Sequence, residues 1–305
     1  MRILLTGASS FTGYWFADAL RRAGHEVMAP LRGASDGGGD PLRTERIARL
    51  GRAGVVLVPD CAFGSARFLD LVGAESFDAL CHHAAEVGDY RSPDFDIAGA
   101  VAANTAHVRQ VLAAMGAHGL KRVVLTGSFF EAGEGAGSTP LRAFSPYAVS
   151  KALTADVMRY RCDEAGLPLA KFVIPHPFGP LEQPRLGAYL AKTWRSGGTA
   201  EIKTPAYIRD NIHVSLLAAT YARFVGDDRE KLNPSGYIEA QGAFVERIAR
   251  EVRARTDFAC AVSLMVQQEF PEPLIRINTD AATHYASGWN EAEAWDAYAE
   301  AIARG

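Results

Sequence analysis

Four cysteines are all this 305-residue chain contains, and no two of them stand as a C-x-x-C pair. Cys61, Cys81, Cys162 and Cys260 lie far apart, so neither a disulfide framework nor a zinc site is favoured, and no metal is expected. The thiols read as buried groups of a reducing compartment. Long apolar runs are missing as well: none approaches the ~20 residues of a membrane span. Met1 and Arg2 lead straight into an apolar run, so no signal peptide is expected. A surplus of one charge is also absent. With 32 Lys+Arg against 35 Asp+Glu the formal net charge is -3, and no basic run suggests a nucleic-acid surface. The expectation is a cytoplasmic protein with neither a nucleic acid nor a membrane as partner. No internal repeat is apparent. What is present is a 48% hydrophobic composition, ample for a large core with an appended lobe.

The apolar segments follow a rhythm. Residues 2–6 form a short apolar run ending at Gly7, read as a buried strand. Residues 13–23 have helical spacing with Trp15, Phe16, Ala19 and Leu20 inward and Gly24 as the stop, and 26–31 is a second strand. Strand, glycine turn, helix and strand within about thirty residues make a βαβ unit and a parallel sheet. Further strands are expected at 55–58, 77–82, 122–126 and 169–174, with helices at 42–53, 101–115 and 146–164. Residues 34–41 and 131–143 read as loops. This is the α/β class, a Rossmann-type doubly wound parallel sheet with a smaller C-terminal substrate-binding lobe. After Pro175 the rhythm breaks, with prolines 175, 177, 180 and 184 in one loop. Helices are expected near 189–194, 213–225, 244–253 and 292–303, with a strand at 201–204. Residues 1–174 are therefore assigned to the dinucleotide-binding domain. Residues 175–305 are assigned mostly to the lobe, with 205–226 returning to the first domain.

Two stretches carry chemistry. Thr6-Gly7-Ala8-Ser9-Ser10-Phe11-Thr12-Gly13 lies between the first strand and first helix, where helix N–H groups can hold a pyrophosphate. Ser10 stands where the middle glycine of such a fingerprint belongs. After the second strand the acid that would hold an NAD ribose is missing: Leu31 and Arg32 stand there instead, and an arginine suits a 2′-phosphate. NADP is accordingly expected, with NAD as the alternative. Further on, Ser145-Pro146-Tyr147 opens a helix, with Ser145 as cap and Pro146 in the first turn. Tyr147 and Lys151 are four apart and share a helix face. A fixed cation near a phenol favours phenolate and makes tyrosine a usable acid or base.

The order of these pieces resembles the extended short-chain dehydrogenase/reductase superfamily, in its nucleotide-sugar epimerase/dehydratase/reductase branch. The likeness rests on the glycine turn, Asp60, His82-His83-Ala84-Ala85, Asn104, Ser128 in Leu125-Thr126-Gly127-Ser128, then Tyr147 and Lys151. It covers the first two thirds well and the last seventy residues poorly. The resemblance implies Tyr147 as proton donor or acceptor at the reacting sugar oxygen, Lys151 lowering its pKa and holding the nicotinamide ribose, and Ser128 hydrogen-bonding the same oxygen. Thr126 competes for the hydroxyl role, and counting along the strand favours Ser128. The implied cofactor surface comprises Gly7, Ser9, Ser10, Phe11, Thr12, Gly13, Arg32, Asp60, Cys61, His83, Ala84, Ala85, Asn104, Tyr147, Lys151 and Pro175. Asp60 would touch the adenine and Asn104 support the tyrosine and lysine from behind. Asn104 could equally be an ordinary polar helix residue, and Asp60 a helix cap.

For the substrate, Tyr207-Ile208-Arg209-Asp210-Asn211-Ile212-His213-Val214 resembles the family's Arg-Asp-(aromatic)-(aliphatic)-His-Val segment. Arg209 is the expected contact to a nucleotide diphosphate, unless it merely pairs with Asp210. In Pro175-His176-Pro177-Phe178-Gly179-Pro180, His176 replaces the asparagine of Asn-x-(aromatic)-Gly-Pro, and Arg185 follows as a lesser nucleotide contact. Family dehydratases carry Asp-Glu directly after the catalytic hydroxyl. Here Phe129 and Phe130 stand there and can transfer no proton, with Glu131 one step late. Both phenylalanines are expected to line the substrate site, as a surface for a deoxysugar methyl or as plain core. The expected function is an NADP-dependent reductase of a nucleotide-linked 4-keto-(6-deoxy)sugar. The alternative is a nucleotide-sugar 4-epimerase with tightly bound NAD. A 4,6-dehydratase, a small-carbonyl reductase and a non-catalytic dinucleotide sensor rank below. A homodimer through the helices at 101–115 and 147–161 is expected from the resemblance.

Overall fold

The computed structural model describes residues 1–269 and 271–304. The chain runs β1 (Arg2–Thr6), α1 (Phe11–Arg22), β2 (Glu26–Pro30), α2 (Pro41–Arg52), β3 (Val56–Val58), α3 (Ala66–Ala74), β4 (Ala79–His82), α4 (Ile97–Asn104), α5 (Val108–Ala117) and β5 (Arg122–Ser128). It continues with β6 (Ala136–Gly137), α6 (Pro146–Ala165), β7 (Leu169–Ile174), β8 (His176–Phe178), α7 (Leu186–Arg195), β9 (Ala200–Ile202) and β10 (Ile208–His213). Then come α8 (Val214–Val225), β11 (Lys231–Leu232), β12 (Pro234–Ser235), β13 (Tyr237–Ala240), α9 (Gln241–Arg253), β14 (Val262–Leu264), β15 (Ile275–Ile277) and α10 (Glu291–Arg304).

Two compact units emerge. The first holds residues 1–134, 142–174 and 221–232; the second holds 135–141, 175–220 and 233–305. The first is built on a seven-stranded sheet in the order β11-β7-β5-β4-β1-β2-β3, with every neighbouring pair parallel. Its central strands are continuous apolar runs, because helices cover both faces of a parallel sheet. Ile3, Leu4 and Leu5 of β1 and Val123 and Val124 of β5 are fully buried. The second unit pairs β13, β10, β15 and β6, with β8 beside β10. Its core is aromatic, with Phe178, Trp194, Phe244, Trp295 and Tyr298 packed together. Among the described residues no helix is long and apolar enough to cross a membrane, and all four cysteines are free and buried.

The sequence reading misses one helix and merges two others. α3 follows β3, capped by Ser65, whose side chain accepts from Phe68 N–H. The helix expected at 101–115 is two helices, α4 and α5, broken at His107, which takes a left-handed φ of 50°. No glycine or proline announces that break. A distant segment makes it: His107 Nδ1–H donates to the Gly64 carbonyl at 2.9 Å, and a Cβ on Gly64 would lie 2.0 Å from the Ala106 carbonyl oxygen.

Gly7 has φ +76°, and a Cβ there would meet the Ala84 backbone nitrogen at 2.8 Å. Strain and clash act at one point, against backbone that cannot rotate away. Gly7→Val is expected to cost about 2–4 kcal/mol in urea unfolding and to weaken dinucleotide binding in the fraction that folds. Unchanged stability would contradict this account of the turn.

Candidate active site

The turn after β1 is held by hydroxyls. Ser10 caps α1, its Oγ accepting from Gly13 N–H at 3.1 Å. A Cβ on Gly13 would fall 2.1 Å from the Gly7 carbonyl oxygen, so helix and strand approach closely only because Gly13 lacks one. Thr6 Oγ1 accepts from the backbone N–H groups of His83 (3.1 Å) and Ala84 (3.0 Å), so its own proton goes to His82 Nδ1 at 3.1 Å. His82 Nε2 must then carry the proton that it gives to the Asn104 carbonyl at 2.9 Å. His82 is thus a neutral imidazole of one tautomer, and burial holds its pKa down at about 4. His83 lies between three hydroxyls, with Nε2 at 3.2 Å from Ser10 Oγ and 3.0 Å from Thr12 Oγ1, and Nδ1 at 3.0 Å from Thr126 Oγ1. Burial, then the nearby Lys151 cation, keep it neutral with a pKa of about 3. The turn, the positive end of α1 and the absent side chains at Gly7 and Gly13 fit a dinucleotide pyrophosphate.

The tyrosine and lysine sit on α6, where Ser145 Oγ accepts from Ala148 N–H at 3.1 Å and Pro146 occupies the first turn. The Tyr147 ring meets Tyr90 and Phe95 edge-on, each at 6.0 Å between centroids. Lys151 is 4% exposed, and its Nζ donates to the Thr126 carbonyl of β5 at 2.7 Å. Burial lowers its pKa to about 8, partly opposed by Glu131. Ser128 ends the same strand. Its Oγ accepts from Phe130 N–H at 3.3 Å, which leaves its O–H able to donate outward. Thr126, the other candidate hydroxyl, is engaged with His83 Nδ1, and its carbonyl with Lys151. Phe129 is fully buried, stacked at 4.9 Å on Phe130, so it is core and not a surface for a sugar methyl. Asn104 ties the segment after β4 to α6, accepting from Glu86 N–H at 2.7 Å and donating to Thr154 Oγ1 at 3.2 Å.

Beside the turn lies a feature that the sequence hides. Arg32 has no acid next to it along the chain, yet Glu86 pairs with it in space, Nη1 to Oε2 at 2.5 Å. The acid missing beside Arg32 in the chain is thus supplied from a distant segment, and the guanidinium is shared with a carboxylate on a largely exposed surface. Arg43, unmarked in the sequence, reaches Ser9 Oγ with its Nε at 3.2 Å. Asp60 sits in a left-handed turn (φ 52°) after β3, its N–H bonded to the Gly33 carbonyl and that of Cys61 to Leu31.

In the second unit, β8 and β10 place His176 beside Asn211 and Phe178 beside His213. Arg209 is 3% exposed; it donates to Glu272 Oε2 at 2.9 Å and to the carbonyls of Ile208 and Leu274. It does not pair with Asp210, whose carboxylate accepts from the N–H groups of Gly236 and Asn278. His176 is held neutral at about 3 by burial, then by the cations of Arg209 and Arg185. Arg209, Asn211 and His213 alternate along β10 and therefore share a face. The Asn211 amide nitrogen is buried without a partner, and so is His213 Nε2. Because Ser215 N–H donates to His213 Nδ1, that Nε2 carries the proton and is also a donor. Asn211 stands in the family pattern's aromatic position, a departure that sequence reasoning passed over.

A protein-family model described as the NAD dependent epimerase/dehydratase family matches residues 3–237. No curated protein matches the chain by sequence. Among solved structures, the chain is similar to UDP-glucuronic acid 4-epimerase from Bacillus cereus, in complex with UDP-glucuronic acid and NAD. That match has 17% identity and a TM-score of 0.78 over 100% of this chain and 99% of that one. It is also similar to Thermus thermophilus UDP-glucose 4-epimerase in complex with NAD (19%, TM-score 0.74, 100% and 99%). A third is UDP-N-acetylglucosamine 4-epimerase from Methanobrevibacter ruminantium, in complex with UDP-N-acetylmuramic acid (15%, TM-score 0.70, 99% and 97%). At these identities the likeness is one of fold.

The Arg32–Glu86 pair makes cofactor choice testable. Glu86→Gln releases the guanidinium, and the expected result in fluorescence titration is NADP binding about tenfold tighter with NAD binding unchanged. No gain for NADP would remove Glu86 from cofactor selection.

Proposed function

The chain belongs to the NAD dependent epimerase/dehydratase family, and we propose that it is an NAD-dependent 4-epimerase of a nucleotide-diphosphate sugar. The observation that carries this reading is the state of the groups after β5. Phe129 and Phe130 carry no proton. Glu131, the nearest acid, has one carboxylate oxygen on Ser128 N–H at 2.7 Å and the other on Lys171 Nζ at 2.5 Å. Elimination of water needs a free acid and base beside the sugar, and this carboxylate is spoken for. Tyr147 remains as the proton-transfer group, with Lys151 and Ser128 to support it.

Bound NAD would supply a nicotinamide able to take hydride from the sugar C4 and return it to the opposite face. Tyr147 would accept the proton of the C4 hydroxyl on oxidation and give it back on reduction. Ser128 O–H would hold the same oxygen as its charge changes, and Lys151, a buried cation below about pH 8, would favour the phenolate. Gly7 to Gly13 would hold the pyrophosphate, Asp60 the adenosine end. In the second unit, the Asn211 donor near Arg209, His176 and Arg185 supports recognition of an anionic diphosphate. The Arg32–Glu86 pair supports NAD, as do the NAD-bound fold relatives.

One observation favours a second reading. Arg43 at Ser9 places another guanidinium beside the turn, which would suit NADP and a net 4-ketoreductase. Leu153 and Tyr160, seven apart on α6 and 44% and 64% exposed, support a homodimer through that helix.

Tyr147→Phe is expected to retain NAD binding and lower turnover of UDP-hexoses by about 10²- to 10⁴-fold in a coupled assay. Full activity in that variant would sink the mechanism. Mass spectrometry of the purified protein is expected to find NAD, whereas stoichiometric NADPH consumption during turnover would establish the reductase instead.

A further inference from the structure

Beneath the catalytic residues lies a buried ionic cluster that the mechanism does not use. Lys171 Nζ on β7 reaches Glu131 Oε2 at 2.5 Å and Glu134 Oε1 at 2.8 Å, and Lys231 Nζ on β11 reaches Glu134 Oε2 at 2.6 Å. The side chains of Glu131, Glu134 and Lys171 are 1%, 8% and 12% exposed. Lys231 and Lys171 are register partners on neighbouring strands, so their like charges would repel without Glu134 bridging them. Two cations and two carboxylates balance. Lys231 is 48% exposed at the cluster's edge, but burying the other three charges is costly unless each is paired and hydrogen-bonded, so their location needs a reason.

The cluster points at the reacting groups. Glu131 Oε1 accepts from Ser128 N–H, and Glu131 N–H donates to the Ser128 carbonyl at 3.0 Å, which closes the turn that ends β5. A Cβ on Gly127 would lie 2.5 Å from Lys171 Cε and 3.1 Å from Glu131 Oε1. The glycine before the serine is what leaves room for the ion pair. We propose that Glu131 and Lys171 form a positioning pair that fixes Ser128 and balances the charge around Lys151. The inference rests on reading Ser128, Tyr147 and Lys151 as the reacting triad.

The charges facing Lys151 are few. Glu131 stabilises its ammonium and Lys171 opposes it. His82 and His83, at the end of β4, are neutral. Tyr147 lies one turn away on α6 itself. α4 contributes no ionisable residue, and on α5 Arg109 lies by Glu164 at the far end of α6. Removing either member changes the charge facing Lys151, with opposite effects, although Lys171 keeps Glu134 at 2.8 Å. Without the carboxylate, Lys171 disfavours the Lys151 cation; without Lys171, the carboxylate favours it more.

The chain has six lysines, few enough for a ¹⁵N-lysine NMR titration of the full-length protein, with Lys151→Arg for assignment. Lys151 is expected to titrate near pH 8, lower by about one unit in Glu131→Gln and higher by about one unit in Lys171→Met. Lys171→Arg keeps the charge and is expected to leave Lys151 in place. Shifts of one sign in both variants, or none in either, would mean a purely structural cluster and overturn the proposal. Should Glu131→Gln not fold, Lys171→Met against Lys171→Arg decides alone. The triad reading fails separately, by an active Tyr147→Phe.

Discussion

A buried ammonium organises this molecule. Lys151 is almost wholly enclosed, with one strong bond to the Thr126 carbonyl, and a lone cation in such a place is costly. Its surroundings show how the cost is limited. Two histidines close by are kept neutral, one of them as a single tautomer set by a threonine hydroxyl and a backbone carbonyl. A carboxylate lies on the favourable side, itself tied to a second lysine. The pKa of about 8 that results leaves Lys151 charged at neutral pH, yet near enough to titration that small changes around it matter.

The same hydroxyl-rich wiring joins the glycine turn after β1 to β5. Thr6 gathers the backbone after β4, and His83 links Ser10 and Thr12 on one side to Thr126 on the other. Thr126 in turn receives Lys151. Ser10, which departs from the usual glycine, has its side chain occupied as the α1 cap and as a neighbour of His83. A serine at this position is therefore built into the network and does not disturb the turn.

Much of this was legible in the sequence because its signals are local. The glycine turn, the Ser145 cap with Pro146 behind it, and the apolar runs of the parallel strands depend on neighbours a few residues away. What was not legible depends on contacts between distant segments. Nothing near Arg32 in sequence announces Glu86, fifty-four residues on. The break at His107 is set by Gly64, and the orientation of Glu131 by Lys171 forty residues later. Glu131 looked like an acid displaced by one residue from a dehydratase position; its carboxylate in fact turns back to its own strand. α3 was legible in principle, since Ser65, Phe68 and Val72 have the cap and spacing of a short helix.

The proposed reversible oxidation at one carbon draws its support from phenylalanines in place of acids, a spoken-for Glu131 and the Arg32–Glu86 pair. The most direct test uses UDP-hexoses bearing deuterium at C4, incubated with the purified protein and no added dinucleotide. The account predicts the 4-epimer with deuterium still at C4. A product formed only when NADPH is added, carrying hydrogen from it, would contradict the account.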